Sequence, residues 1–103
     1  MDQEPREENN LVRAHIWVKG RVQGVGFRAY VEYRARQIGG VSGWVRNVGY
    51  DTVEAIGEGE RENVDQLIQV MKEGPRGSRV DEAKVEWEKP TGEFDRFGVK
   101  RSI

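Results

Sequence analysis

Three features of the sequence predict an α+β domain in which an antiparallel sheet carries two helices on one face. Apolar residues alternate at period two in four separate segments, and in two others they recur at helical spacing. These segments follow one another as strand, helix, strand, strand, helix, strand. A chain of 103 residues is long enough to bury one core.

Residues 1–10, MDQEPREENN, are polar and mostly acidic and carry no period. They are expected to form a disordered tail, with residues 11–103 as a single domain. Val12, Ala14, Ile16 and Val18 alternate with Arg13, His15, Trp17 and Lys19, as in a strand with one apolar face. Three glycines in the seven residues Gly20–Gly26 then break the pattern and mark a tight loop. Phe27, Val31, Arg34/Ala35 and Ile38 fall at helical spacing, and Gly39-Gly40 stops that helix. Val41, Gly43 and Val45 lie on one side of a second strand. Val53, Ala55 and Gly57 do the same in a third, so the two form a hairpin about Val48-Gly49-Tyr50-Asp51. Val64, Leu67, Ile68 and Met71 make the apolar stripe of a second helix, which Gly74-Pro75 ends. Ala83, Val85 and Trp87 alternate in a fourth strand, and Phe97 and Val99 suggest a short fifth. The order β-α-β-β-α-β is that of the ferredoxin-like, split βαβ arrangement. That fold serves many functions, so activity has to be read from a site.

Composition narrows the chemistry. With no cysteine the chain has no thiol nucleophile, thiolate metal site or disulfide, and the single histidine, His15, makes a His-based metal site or Ser-His-Asp triad untenable. Seventeen basic and eighteen acidic residues leave a net charge of −1, whereas nucleic-acid binders usually carry a basic surplus, so no nucleic-acid partner is expected. No apolar run is long enough to cross a bilayer and the N-terminus does not read as a signal peptide. The expected protein is cytoplasmic, free of membrane and monomeric.

The segment Gly20–Arg28, GRVQGVGFR, is the most informative. A glycine-rich turn that feeds a helix N-terminus gathers unpaired N–H groups at the positive end of a helix dipole, and an arginine at its end adds a planar fork of donors. Spacing alone leaves three readings open: a structural turn with Arg28 solvated, a dinucleotide site, or a phosphate site for a small ester or anhydride. The dinucleotide reading finds its GxGxxA form in Gly24–Ala29 but lacks the acidic residue after the next strand, where Arg46 and Asn47 stand. No glycine here is followed by Lys-Ser/Thr, so a P-loop is excluded.

GRVQGVGFR, followed nineteen residues after its arginine by the asparagine of GWVRN, resembles the acylphosphatase family. The likeness runs from Arg13 to Val99 and includes Glu73-Gly-Pro and the closing Gly92-Glu-Phe…Phe-Gly-Val. It implies hydrolysis of acyl phosphates to carboxylate and inorganic phosphate with no cofactor and no metal. By position it assigns catalytic roles to Arg28, which grips phosphate, and Asn47, which places water. Val22, Gln23, Gly24, Val25, Gly26 and Phe27 would line the phosphate loop. Two features depart from the family: the turn reads Asn47-Val-Gly-Tyr-Asp51 rather than Asn-Leu-Pro-Asp-Gly, and Gly39-Gly40 lengthens the stretch between Arg28 and Asn47. A non-catalytic binding module for phosphate or carbamoyl phosphate is one alternative. An RNA-binding sheet displaying Trp17 and Trp44 is another. Arg21 and Arg46 flank the expected site and could add positive potential to it, or be solvated. His15 is expected on the open face of the sheet, and nothing in the sequence marks Asp51 and Glu54 as an acid/base pair.

Overall fold

The computed structural model describes residues 10–103, and the expected tail at 1–10 therefore lies, but for Asn10, outside the described residues. The elements are β1 (Leu11–Arg21), α1 (Phe27–Ile38), β2 (Val41–Val48), β3 (Thr52–Glu60), α2 (Arg61–Glu73), β4 (Arg79–Glu88) and β5 (Phe97–Val99). The sheet order is β4-β1-β3-β2-β5. β3 sits at the centre, and every residue from Val53 to Glu58 is buried, on both faces.

The first four strands pair antiparallel, as expected, but β5 runs parallel to β2, with Gly43 opposite Phe97 and Val45 opposite Val99. The sheet is therefore mixed. The parallel pairing follows from the long return of residues 89–96, which brings the chain back to β2 in the same sense in which β2 runs. Lys100 extends the ladder by donating its N–H to the Val45 carbonyl at 2.8 Å.

Both helices cover the face displayed by Ala14, Ile16 and Val18, and they bury Val31, Ala35, Val64, Leu67 and Met71 against it. Each of these larger side chains contributes about 1.5–3 kcal/mol on leaving water. A Cβ on Gly57 would stand 2.4 Å from Leu67 Cδ2, so the missing side chain lets α2 settle onto β3. The amides of Gly39 and Gly74 close their helices on the carbonyls of Ala35 and Val70. In β4 the expected alternation is present, yet only Val80 and Val85 are half-buried, while Ala83 and Trp87 stay exposed. α2 covers this edge strand only in part, and Trp87 lies under the guanidinium of Arg61, the first residue of that helix, at 4.2 Å.

The opposite face of the sheet carries an ionic and aromatic network. Glu58 accepts from Arg13 Nη1 at 2.9 Å, from the Thr91 N–H at 2.9 Å and from the Gly92 N–H at 3.0 Å. Glu54 meets His15 Nε2 at 2.6 Å and accepts from Arg46 Nε at 2.8 Å. Both carboxylates are 6% exposed, and each is satisfied, as a buried charge must be. Burial pushes the Glu58 carboxyl up, but the Thr91 amide, Arg13 and the Gly92 amide outweigh it and hold the carboxyl below its ordinary value. Glu54 is likewise raised by burial and lowered further by His15 and Arg46.

Candidate functional site

β1 ends at Arg21, α1 begins at Phe27, and the five residues between them make the turn. Gly24 and Gly26 hold φ of +75° and +77°, whereas no other residue type in the described chain has a positive φ. The sign of φ therefore alternates from Gln23 to Phe27, which is the backbone pattern that curls successive N–H groups into one concavity. A Cβ at either glycine would meet nothing within 4 Å, so what these positions require is the left-handed backbone and not space.

Among the described residues, none of the N–H groups from Gln23 to Ala29 has an acceptor; the first helical bond is Tyr30 N–H to the Gly26 carbonyl at 3.0 Å. Gly26 is the N-cap and offers no side chain to these donors, and the first turn of α1 holds no acid. The second helix differs, with Glu62 in its first turn. The positive end of α1 is thus left open to an outside acceptor.

A pocket of about 350 Å³ opens over this helix end. Its lining includes Val22, Gln23, Gly24, Gly26, Phe27, Arg28 and Asn47. Seven of the eight residues named from sequence therefore converge. Val25 does not: its side chain packs back against the core, and only its backbone belongs to the turn. The converging residues divide their tasks. Val22 and Phe27 are 0% and 2% exposed, so their side chains pin the loop to the core. Gln23 clasps the β2–β3 turn, its Nε2 donating to the Thr52 carbonyl at 2.9 Å and lying 3.2 and 3.3 Å from those of Gly49 and Val48.

Arg28 leaves the first turn of α1. Its Nη1 donates to the Lys100 carbonyl at 3.4 Å and to Ser102 Oγ at 3.3 Å. Nε and Nη2 have no acceptor among the described residues, which leaves free the side-by-side donors that suit two oxygens of one phosphoryl group. Asn47 lies near the end of β2, on the side of the sheet that holds Val45 and α1. Its position is fixed through the backbone, since its carbonyl accepts from Ile103 N–H at 3.0 Å and Gly49 N–H donates to the Ile103 carbonyl at 2.8 Å. Its side-chain amide has no partner among the described residues and offers both a donor and an acceptor to the pocket.

Sequence reasoning missed Ala29, Glu32 and Val99, which complete the lining, and the support that residues 100–103 give to Arg28 and Asn47. Glu32 was within reach of it, because it stands four residues after Arg28 on the same helical face. Arg46 does not flank the pocket: Glu54 draws it to the opposite face of the sheet, where it lies 4.7 Å over Trp44. Arg21 does not line the pocket and pairs with Arg79 of β4. Trp17 and Trp44 are on the open face as expected. His15 stacks on Trp17 at 3.8 Å, Lys84 lies 5.3 Å over the same ring, and Lys100 lies 4.6 Å over Trp44. A larger hollow, about 520 Å³, lies at the C-terminal end of α1 among Ala35, Val41, Phe94 and Phe97, but its buried carboxylate is Glu58, already satisfied by Arg13, Thr91 and Gly92. Among the described residues no cluster of three or more carboxylate or imidazole groups could hold a metal ion, and no helix is long and apolar enough to cross a membrane.

A family model described as acylphosphatase matches residues 14–99. The chain is 48% identical over 90 residues to an acylphosphatase of Roseiflexus sp. (strain RS-1), covering 87% of this chain and 96% of that protein. It is 50% identical over 90 residues to an acylphosphatase of Chloroflexus aurantiacus, covering 87% and 97%. The crystal structure of acylphosphatase from Bacillus subtilis superimposes with a TM-score of 0.81 at 31% identity, over 86% of this chain and 98% of that one.

Proposed function

The chain belongs to the acylphosphatase family, whose members' activity is the hydrolysis of acyl phosphates, and from that premise we propose that the pocket at the start of α1 performs this reaction with Arg28 and the loop amides on the phosphate and Asn47 on the water. The observation that carries the reading is a run of N–H groups, from Gln23 to Ala29, that have no acceptor among the described residues and belong to the turn and helix end lining the same pocket as the free edge of Arg28.

The substrate is an activated anhydride. Its leaving group is a carboxylate whose conjugate acid has a pKa of about 4, so it departs without protonation. An alkyl phosphate would need a general acid, and no Asp, Cys or His lines this pocket, while its one carboxyl, Glu32, stands a helical turn beyond Arg28 and is bonded to Arg36 at 3.1 Å. What the protein has to supply is position and charge. Phosphoryl transfer spreads negative charge over the equatorial oxygens, and donors fixed before the reaction stabilise that charge most. The curled amides and the helix end hold one set of oxygens, and the Arg28 fork spans two. Asn47 accepts a hydrogen bond from the attacking water through its amide oxygen and holds the water in line with the departing carboxylate. A phosphate oxygen takes the proton, so the scheme asks for no protein base and no metal.

Phosphate release from benzoyl phosphate, measured with and without a chelator beside methyl phosphate, tests this. Rapid hydrolysis of the anhydride, unaffected by chelation, and none of the ester is expected. Equal rates on both, or loss of activity with the chelator, would overturn the mechanism.

A further inference from the structure

We propose that Gln23 is a positioning residue for the attacking water: its side chain fixes the β2–β3 hairpin, and Asn47 with it, at one set distance from the phosphate loop. The inference rests on the acyl phosphate reading above. In that reading phosphate and water are held by different parts of the chain, the turn before α1 and the end of β2, and in-line attack requires the two to keep a common frame. Asn47 does not secure this itself. Its side-chain amide has no partner among the described residues, and its backbone is tied to β3 and to Ile103 rather than to the loop. The turn that follows supplies no side-chain anchor to the loop either. Val48 and Gly49 carry no polar side chain, Tyr50 is 88% exposed, and the Asp51 carboxylate accepts from Thr52 Oγ1.

Gln23 joins the two parts. Its own N–H is the first of the loop amides without an acceptor among the described residues, whereas its side chain leaves for the hairpin. The three atoms it meets there are all carbonyl oxygens, those of Thr52 at 2.9 Å, Gly49 at 3.2 Å and Val48 at 3.3 Å, so the group that faces them is the NH₂. Val48 and Thr52 are the last register pair before the turn, and Val48 is the residue next to Asn47. One amide thus grips both strands of the hairpin at their ends. Among the described residues no other side chain from Val22 to Arg28 bonds to the hairpin; that of Arg28 turns to Lys100 and Ser102. Without these bonds the loop and the hairpin each keep their fold but lose their fixed separation, and a misplacement of about 1 Å costs up to about 10²-fold in rate.

The test is a double-mutant cycle on kcat for benzoyl phosphate, with Gln23→Met and Gln23→Leu, apolar replacements that lack the N–H groups, each alone and combined with Asn47→Ala. Circular dichroism establishes that each variant is folded, and the inhibition constant of inorganic phosphate reports on the loop. Alone, each replacement is expected to lower kcat about tenfold, with phosphate inhibition within about twofold of wild type. On the Asn47→Ala background the same replacement is expected to cost less than about twofold, because no placed amide is left to misalign. General loosening of the loop would instead weaken phosphate inhibition and multiply with Asn47→Ala. Either result, or a folded single variant with kcat within about twofold of wild type, would overturn the assignment while leaving the hydrolase reading intact. No hydrolysis of benzoyl phosphate by the wild type would overturn that reading and this inference together.

Discussion

Replacing Arg28 by alanine removes the only cation that lines the pocket among the described residues, and the structure gives a scale for the loss. Nη1 is engaged at 3.4 and 3.3 Å by the Lys100 carbonyl and Ser102 Oγ, distances at the long end for such bonds, so these contacts aim the group without consuming its donors. Nε–H and the two Nη2 N–H groups remain for the phosphoryl oxygens. Two charge-assisted bonds of about 1.5–3 kcal/mol each amount to about 3–6 kcal/mol, or about 10²- to 10⁴-fold in rate if they are made fully only in the transition state. Arg28→Lys keeps the charge but offers no fork, and it should recover less than about tenfold of the loss. The assay is steady-state phosphate release from benzoyl phosphate, with circular dichroism and urea unfolding to establish that each variant is folded. A folded Arg28→Ala protein within about threefold of wild type, or an Arg28→Lys protein equal to it, would refute the reasoning.

Asn47→Ala should lower kcat about 10²-fold while the inhibition constant of inorganic phosphate stays within about twofold, by analogy with loss of one fixed transition-state donor; weakened phosphate inhibition would move Asn47 from placing water to binding. Gln23→Ala removes a side-chain amide whose two protons reach the carbonyls of the β2–β3 turn, at a cost of about 1–3 kcal/mol. Thermal unfolding should show Tm lower by about 4–8 °C for each kcal/mol, and an unchanged Tm would mean that the clasp contributes nothing. Glu54 and Glu58 have carboxyls held below the ordinary value when folded, so their stabilisation is present above about pH 4.3 and is lost as pH falls through the lower folded values. Urea midpoints should hold level from pH 7 to about 5 and then fall, less steeply in Glu58→Gln; a midpoint that rises on acidification would contradict the assignment.

Local chemistry made much of this molecule legible in the sequence. The stripe Val64–Leu67–Ile68–Met71 is a helix because burial on one face is all it needs, and Gly39 and Gly74 stop their helices where they stand. The loop was legible for the same reason: two glycines alternating with other residues before a helix already imply curled amides. What escaped depends on register. Arg13 and His15 meet Glu58, Glu54 and Glu88 only because β1 lies between β3 and β4, and that order is not written in any one segment. The parallel sense of β5 rests on a three-residue strand, too short to show a period. Arg46, two strands from β1, is adjacent to Asn47 in sequence yet on the other side of the sheet, because successive residues of a strand face opposite ways.

The exposed margin formed by β4 bears on how copies of this protein behave when crowded. Its ten residues include Asp81, Glu82, Glu86 and Glu88 against Arg79 and Lys84, and the irregularity beside Lys19/Gly20 interrupts its ladder with β1. A second molecule trying to prolong the sheet along this margin would bring an equally acidic ribbon to within about 5 Å of the first. Repulsion and a broken template both oppose growth of a continuous intermolecular sheet, so this mostly exposed edge strand is one the sequence guards against fibre formation.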